Sequence, residues 1–139
     1  MCIRDSRICV GDGLAYHTQG NLIALLTKVK TPIPQNQLSG IVYQIPCECG
    51  DRYIGETSKT LDERRKEHQR AVRRFDNNSV ATHVRDTGHN ISWKDAKVIL
   101  KEGHKIRRKV KEAIKIKTTT CFNMDQGISL DPIWNDQIN

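Results

Sequence analysis

The sequence predicts an α+β fold, a small antiparallel three-stranded sheet flanked by helices in the order β-β-α-α-β-α. Two β-branched and aromatic runs, at 40–47 and 52–57, flank a short connector. A stretch free of Gly and Pro follows a helix-capping signature at 60–75, and a third apolar run at 96–102 leads into a basic helix. At 139 residues the chain is about one domain long.

"GIVYQIPC" is rich in strand-forming residues, and Pro46, which cannot donate to a ladder, marks its end. "RYIGET" is the second strand. Side chains alternate along a strand, so Tyr43 and Tyr53 share a face only if odd positions pair with odd ones. That excludes a two-residue turn and requires a wider connector with an odd number of residues. Thr60 followed three residues later by Glu63 is a capping-box pattern, and "TLDERRKEHQRAVRRF" runs on from it as a helix. Leu61, Ala71, Val72 and Phe75 make its apolar stripe, with Arg64 and His68 four apart in the middle.

A short second helix runs from near Ser79 to Gly88, a suitable residue just past a helix end. "AKVILKE" is the third strand. In the last helix, "HKIRRKVKEAIKIK", one side carries Ile106, Val110, Ala113, Ile114 and the stem of Lys117, with Glu112 on the flank beside Ile116. Trp93 and Trp134 read as core anchors, and Cys121 as a buried thiol.

Residues 1–39 read as a tail and linker. "LAYHTQGNLIALLTKV" fits one short amphipathic helix, "KTPIPQNQLSG" has the proline spacing of an extended segment, and "MCIRDS" fits no local pattern. The informative chain is 40–135, with 136–139 a short tail. Lys and Arg number 23 against 16 Asp and Glu, giving a net charge of +7. That balance suits a polyanionic partner, nucleic acid first, although a basic surface also serves solubility alone. No run approaches the ~20 apolar residues of a membrane span, and the start lacks a signal-peptide core, so an intracellular protein without membrane contact is expected. Five cysteines in a reducing compartment argue against a disulfide framework.

Arg64 and His68 inside an apolar stripe are the main local anomaly, because an unpaired inward charge is costly without a partner or a wet cleft. An exposed arginine with a buried stem would give the same spacing. Beside two phenols and a later carboxylate, however, a guanidinium and an imidazole suit phosphodiester cleavage: a base for water, cations for developing charge and one metal ligand.

"GIVY" and, ten residues after Tyr43, "YIG" resemble the signature of the GIY-YIG nuclease superfamily. The succession "SGIVYQIPCECGDRYIGETSKTLDERRKEH", "SVATHVRDTGHNISW", "RRKVKEAIKIK" and "FNMDQGISLDPIW", roughly residues 39–135, is similar to the endonuclease domain that follows the reverse transcriptase in Penelope-like retroelements. Arg64 falls nine positions after Gly55, one more than in many members of the superfamily. The resemblance implies a metal-dependent DNA endonuclease that nicks nuclear target DNA for integration. Its implied partners are DNA and the reverse transcriptase domain of a parent element, with residues 1–39 as the polymerase's tail.

Carried over, the resemblance makes Tyr43 the general base or water-orienting phenol and Tyr53 its support. Gly55 would let backbone approach the phosphate. Arg64 would stabilise the pentavalent transition state, and His68 would contact Tyr43 or the phosphate. Glu112 would hold one Mg²⁺ or Mn²⁺, and Asn123 would help position the site. Taken alone, Glu112 also reads as a solvated helix carboxylate paired with Lys109 or Lys115.

Cys47, Cys49, His83 and His89 offer two thiolates and two imidazoles, a four-coordinate donor set for structural Zn²⁺ that would stabilise the hairpin. The cysteine spacing is tighter than usual, and two incidental thiols with surface histidines, or His68 or His104 as ligands instead, remain open on motif alone. The resemblance implies the first set, since the Penelope-like domain carries a two-Cys two-His insertion. Arg70, Arg73, Arg74, Arg107, Arg108, Lys109 and Lys111 are expected to contact phosphates without reading sequence. The alternative class is a non-catalytic, zinc-stabilised nucleic-acid-binding module or a degenerate retroelement remnant.

Overall fold

Alternation along the first strand decides the architecture. In the computed structural model, which describes residues 31–132, β1 (Ser39–Pro46) is the central strand. It pairs antiparallel with β2 (Arg52–Thr60) on one side and β3 (Lys97–Lys101) on the other. Ile41, Val42, Tyr43 and Ile45 have no exposed surface, so β1 is buried on both faces. Its odd residues join Cys47, Leu61, Val80 and Ile91 in one core, while Val42 joins Ile54 and Ile116 in a second. The first core lies under helices α1 (Leu61–Arg74) and α2 (Ser79–Thr87), the second under α3 (Lys105–Thr118).

The β1–β2 register pairs Tyr43 with Gly55 and Ile45 with Tyr53, odd with odd, as the sequence requires. The connector is the five residues 47–51 between Pro46 and Arg52. It is tied by Cys47 N–H to Asp51 O at 2.9 Å and Gly50 N–H to Cys47 O at 3.1 Å. Helix α1 starts with both halves of the capping box, Glu63 N–H to Thr60 Oγ1 at 3.3 Å and Thr60 N–H to Glu63 Oε2 at 3.0 Å. Asn78 caps α2 and Gly88 ends it at φ 71°. His104 caps α3, its Nδ1 accepting from Arg107 N–H at 3.4 Å.

Three side-chain expectations fail. Phe75 leaves the stripe of α1 and is 69 % exposed, because the chain reverses there into the left-handed region. Helix α3 buries Ala113 as expected, with Val110 and Ile114 half-buried, but its inner face is turned toward Arg108 and Ile116, which are buried, while Ile106 is exposed. Glu56 on β2 causes this, since its carboxylate draws the Arg108 guanidinium inward to 2.5 Å, where it also donates to Glu102 O at 3.1 Å. Cys121 is half-buried rather than buried. Trp93 is half-buried against the first core, within the range of an anchor. The expected N-terminal helix, Trp134 and the tail 136–139 lie outside the described residues. Among the described residues no helix is long and apolar enough to cross a membrane.

Candidate active site and metal centre

The pairing of β1 with β2 brings both tyrosines to the face that α1 covers, with ring centroids 6.2 Å apart. Gly55 lies opposite Tyr43, and a Cβ there would sit 2.6 Å from the Tyr43 hydroxyl oxygen and 2.8 Å from the Tyr53 ring. The glycine is therefore required by the two rings packed over it, and the expected approach of backbone to phosphate is not what makes a side chain impossible at this position.

One helical turn apart on α1, Arg64 and His68 reach the same phenol. Arg64 Nε donates to the Tyr43 hydroxyl at 3.2 Å, and that hydroxyl lies 2.8 Å from His68 Nε2. A guanidinium can only donate, so the Tyr43 oxygen accepts from Arg64 and keeps its own proton and a second lone pair to share with the His68 imidazole. Burial, then the Arg64 charge, lowers the His68 pKa to about 4, consistent with a neutral ring. Burial first, then Tyr53, raises the Tyr43 phenol far above its ordinary value.

Arg64 also donates to Glu67 Oε2 at 2.8 Å and stands between two lobes of one cleft. One lobe, about 360 Å³, is lined by Tyr53, His68, Asn77, Asn78, Met124 and Asp125. The other, about 370 Å³, is lined by Tyr53, Glu56, Lys109, Glu112 and Asp125. Both include Tyr53 and Arg64, whereas Tyr43 lies wholly buried behind them.

The rotation of α3 turns Glu112 into this second lobe. Burial, then Glu56, raises its pKa to about 7, with Asp125 adding to the rise and the Glu56 backbone N–H opposing it. Lys109 offsets little of this, so Glu112 is not the solvated, lysine-paired carboxylate that its helix position also allows. A carboxylate short of positive charge is suited to a cation. Among the described residues the acids at this lobe do not converge into a metal-binding group.

Asn123 binds the free edge of β2, its Oδ1 accepting from Ile54 N–H at 3.0 Å and its Nδ2 donating to Ile54 O at 2.7 Å. It fixes the backbone next to Gly55 and does not line the cleft. Asp125, Glu56 and Glu67 escaped the sequence reading. Glu67 lies three residues beyond Arg64 on one helix, a spacing that could have flagged it.

At the hairpin tip a second cluster forms. The connector is stitched to 90–92 by Glu48 N–H to Asn90 O at 3.2 Å and Ser92 N–H to Pro46 O at 2.9 Å. The ligand atoms of Cys47, Cys49, His83 and His89 consequently lie within 4.8 Å of one another, a set that could hold a metal ion. His83 Nε2 is 3.4 Å from Cys47 Sγ and 3.7 Å from Cys49 Sγ; a tetrahedral zinc would set sulfur and nitrogen about 3.6 Å apart. His89 Nδ1 is buried without a hydrogen-bond partner, an orphan that an ion would satisfy. Burial raises Cys47 and lowers His83, leaving a neutral imidazole ready to ligate and a thiol that must lose its proton. Neither alternative ligand belongs: His68 is engaged by Tyr43, and His104 caps α3.

Of the residues expected on phosphates, Arg70, Arg73, Arg74 and Arg107 are exposed. Arg108 is excluded by its burial and its pairing with Glu56, and Lys111 is engaged by Glu102 at 2.7 Å. Lys109 lines the Glu112 lobe. Comparison with protein families, curated proteins and solved structures finds no match to this chain.

Proposed function

We propose that this chain is a metal-dependent DNA endonuclease of the GIY-YIG kind, which nicks nuclear DNA for a retroelement by hydrolysing one phosphodiester. The observation that carries the reading is the lobe that joins Tyr53, Arg64 and Glu112 on one wall. Arg64 receives the scissile phosphate and balances the charge that grows on its oxygens. Tyr53, facing the cleft, orients the attacking water, and Tyr43 packs behind it. As the new phosphorus–oxygen bond forms, the water proton passes to the Tyr53 hydroxyl at the cleft, the Tyr53 proton to Tyr43 behind it, and the Tyr43 proton to neutral His68 Nε2. The bond to the 3′-oxygen breaks and that oxygen takes a proton from solvent, leaving a 3′-hydroxyl primer and a 5′-phosphate, while His68 gives its proton back to water in the lobe it lines. A Mg²⁺ or Mn²⁺ held at Glu112 would supply Lewis-acid stabilisation of the phosphate and leaving oxygen. Zn²⁺ is the ion proposed for the cysteine–histidine set, in a structural role.

Arg64→Ala tests this reading. Nicking of supercoiled plasmid should fall by about 10³-fold, while zinc content, melting and DNA affinity stay near wild type. Equal nicking by the purified variant would remove the arginine from the chemistry and the reading with it.

A further inference from the structure

Packing does not account for Phe75. It ends α1 at φ 58°, ψ 37°, a conformation that crowds a bulky side chain and that glycine usually fills at a helix end. Among the described residues it is the one non-glycine with positive φ. The closing bonds are backbone bonds, Phe75 and Asp76 N–H to the carbonyls of Val72 and Ala71, which glycine would make equally well. The ring is nonetheless 69 % exposed, more than any other large apolar side chain described.

Its neighbours give it a chemistry. Arg70, Arg73 and Arg74, all exposed toward the C-terminal end of α1, outnumber Asp76 three to one. Asn77 and Asn78 follow directly and line the lobe that contains Arg64 and His68. A strand with a phosphate at Arg64 and leaving along that lobe would therefore meet this turn. A fixed backbone offers the ring with little freedom left to lose, and an aromatic face stacks on any base. Outliers of this kind collect where function holds them.

We propose that Phe75 stacks on a nucleobase of DNA bound in the cleft, with Arg70, Arg73 and Arg74 holding the adjoining phosphates. The inference rests on the nuclease reading for the occupant of the cleft. It requires DNA in which a base beside the cut is unstacked or easily unstacked, which narrows the substrate to distorted or partly single-stranded sites.

The test uses the full chain and a labelled duplex with a single-stranded overhang, with 2-aminopurine beside the nick position. Phe75→Gly suits the left-handed backbone, so its melting temperature should match or exceed wild type, which removes misfolding as an explanation. Its affinity at fixed salt should fall about tenfold and the 2-aminopurine emission change should vanish, while Phe75→Trp retains both. Wild-type affinity and emission in Phe75→Gly, with nicking intact, overturn the inference and leave the nuclease reading standing. Loss of binding in Phe75→Gly when wild type binds but never nicks supports the stacking and sinks the nuclease reading. If wild type binds no DNA, the exposed ring serves another partner and the inference falls.

Discussion

At the tip of the β1–β2 hairpin, four soft donors lie within 4.8 Å of one another with His89 Nδ1 unpartnered. Four residues back along β1, Tyr43, Arg64 and His68 already satisfy one another, and the group short of a partner is Glu112, on a different element. An ion at the tip would add to the backbone bonds a further tie between chain segments far apart in sequence. The cleft is packed and hydrogen-bonded without one. On the proposed reading, an ion at the tip would serve folding and an ion at the cleft chemistry. Phe122 connects the two: its ring stacks on His83 at 4.0 Å and approaches Tyr53 at 6.2 Å.

The largest effect should come from breaking the tip. Cys49→Ser, or a strong chelator on the wild type, should lower the melting temperature by more than about 10 °C, since a structural ion contributes several kcal/mol and each is worth about 4–8 °C in a domain of this size. Calorimetry with metal analysis checks it; unchanged melting in a metal-free protein would erase the distinction between the two regions.

Acid should next reveal the packed cleft. The folded His68 pKa is about 4, below its ordinary 6.5. Between those values the unfolded chain takes up a proton that the folded chain refuses. Stability from this group is thus complete above about pH 6.5 and is lost as pH falls to about 4, by at most about 3 kcal/mol. The wild type and His68→Gln share the tip, so the difference between their denaturation curves across that window isolates His68. Parallel curves would mean that the ring is not held neutral.

Gly55→Ala should have the smallest effect, about 1–3 kcal/mol of destabilisation from overpacking, because a Cβ 2.6 Å from the Tyr43 hydroxyl must push the rings aside. Nicking should fall with it. A fully stable, fully active Gly55→Ala would show that the tyrosines are not held as described.

Most of the frame was legible because local rules agreed with one another. Thr60 and Glu63 form the predicted box, Gly88 ends the predicted helix, and parity alone required the wide connector that carries Cys47 and Cys49. Legibility stopped where a partner distant in sequence decided the outcome. Apolar periodicity put Ile106 inside and gave no reason to bury Arg108; Glu56, fifty-two residues earlier, reverses both. That same rotation turns Glu112 from a flank residue into a wall of the cleft. Phe75 was misjudged because a stripe assumes that the helix continues, and α1 ends one residue too soon. Asp125 lies in an irregular segment with no period to betray it.

Conversion of supercoiled plasmid to open circles by the zinc-loaded chain, with Mg²⁺ or Mn²⁺, beside Glu112→Gln, tests the central claim most directly. The account predicts metal-dependent nicking in the wild type and a loss of about 10³-fold in the variant, with melting and DNA affinity retained. Nicking that persists in Glu112→Gln, or binding without nicking in both, would contradict it.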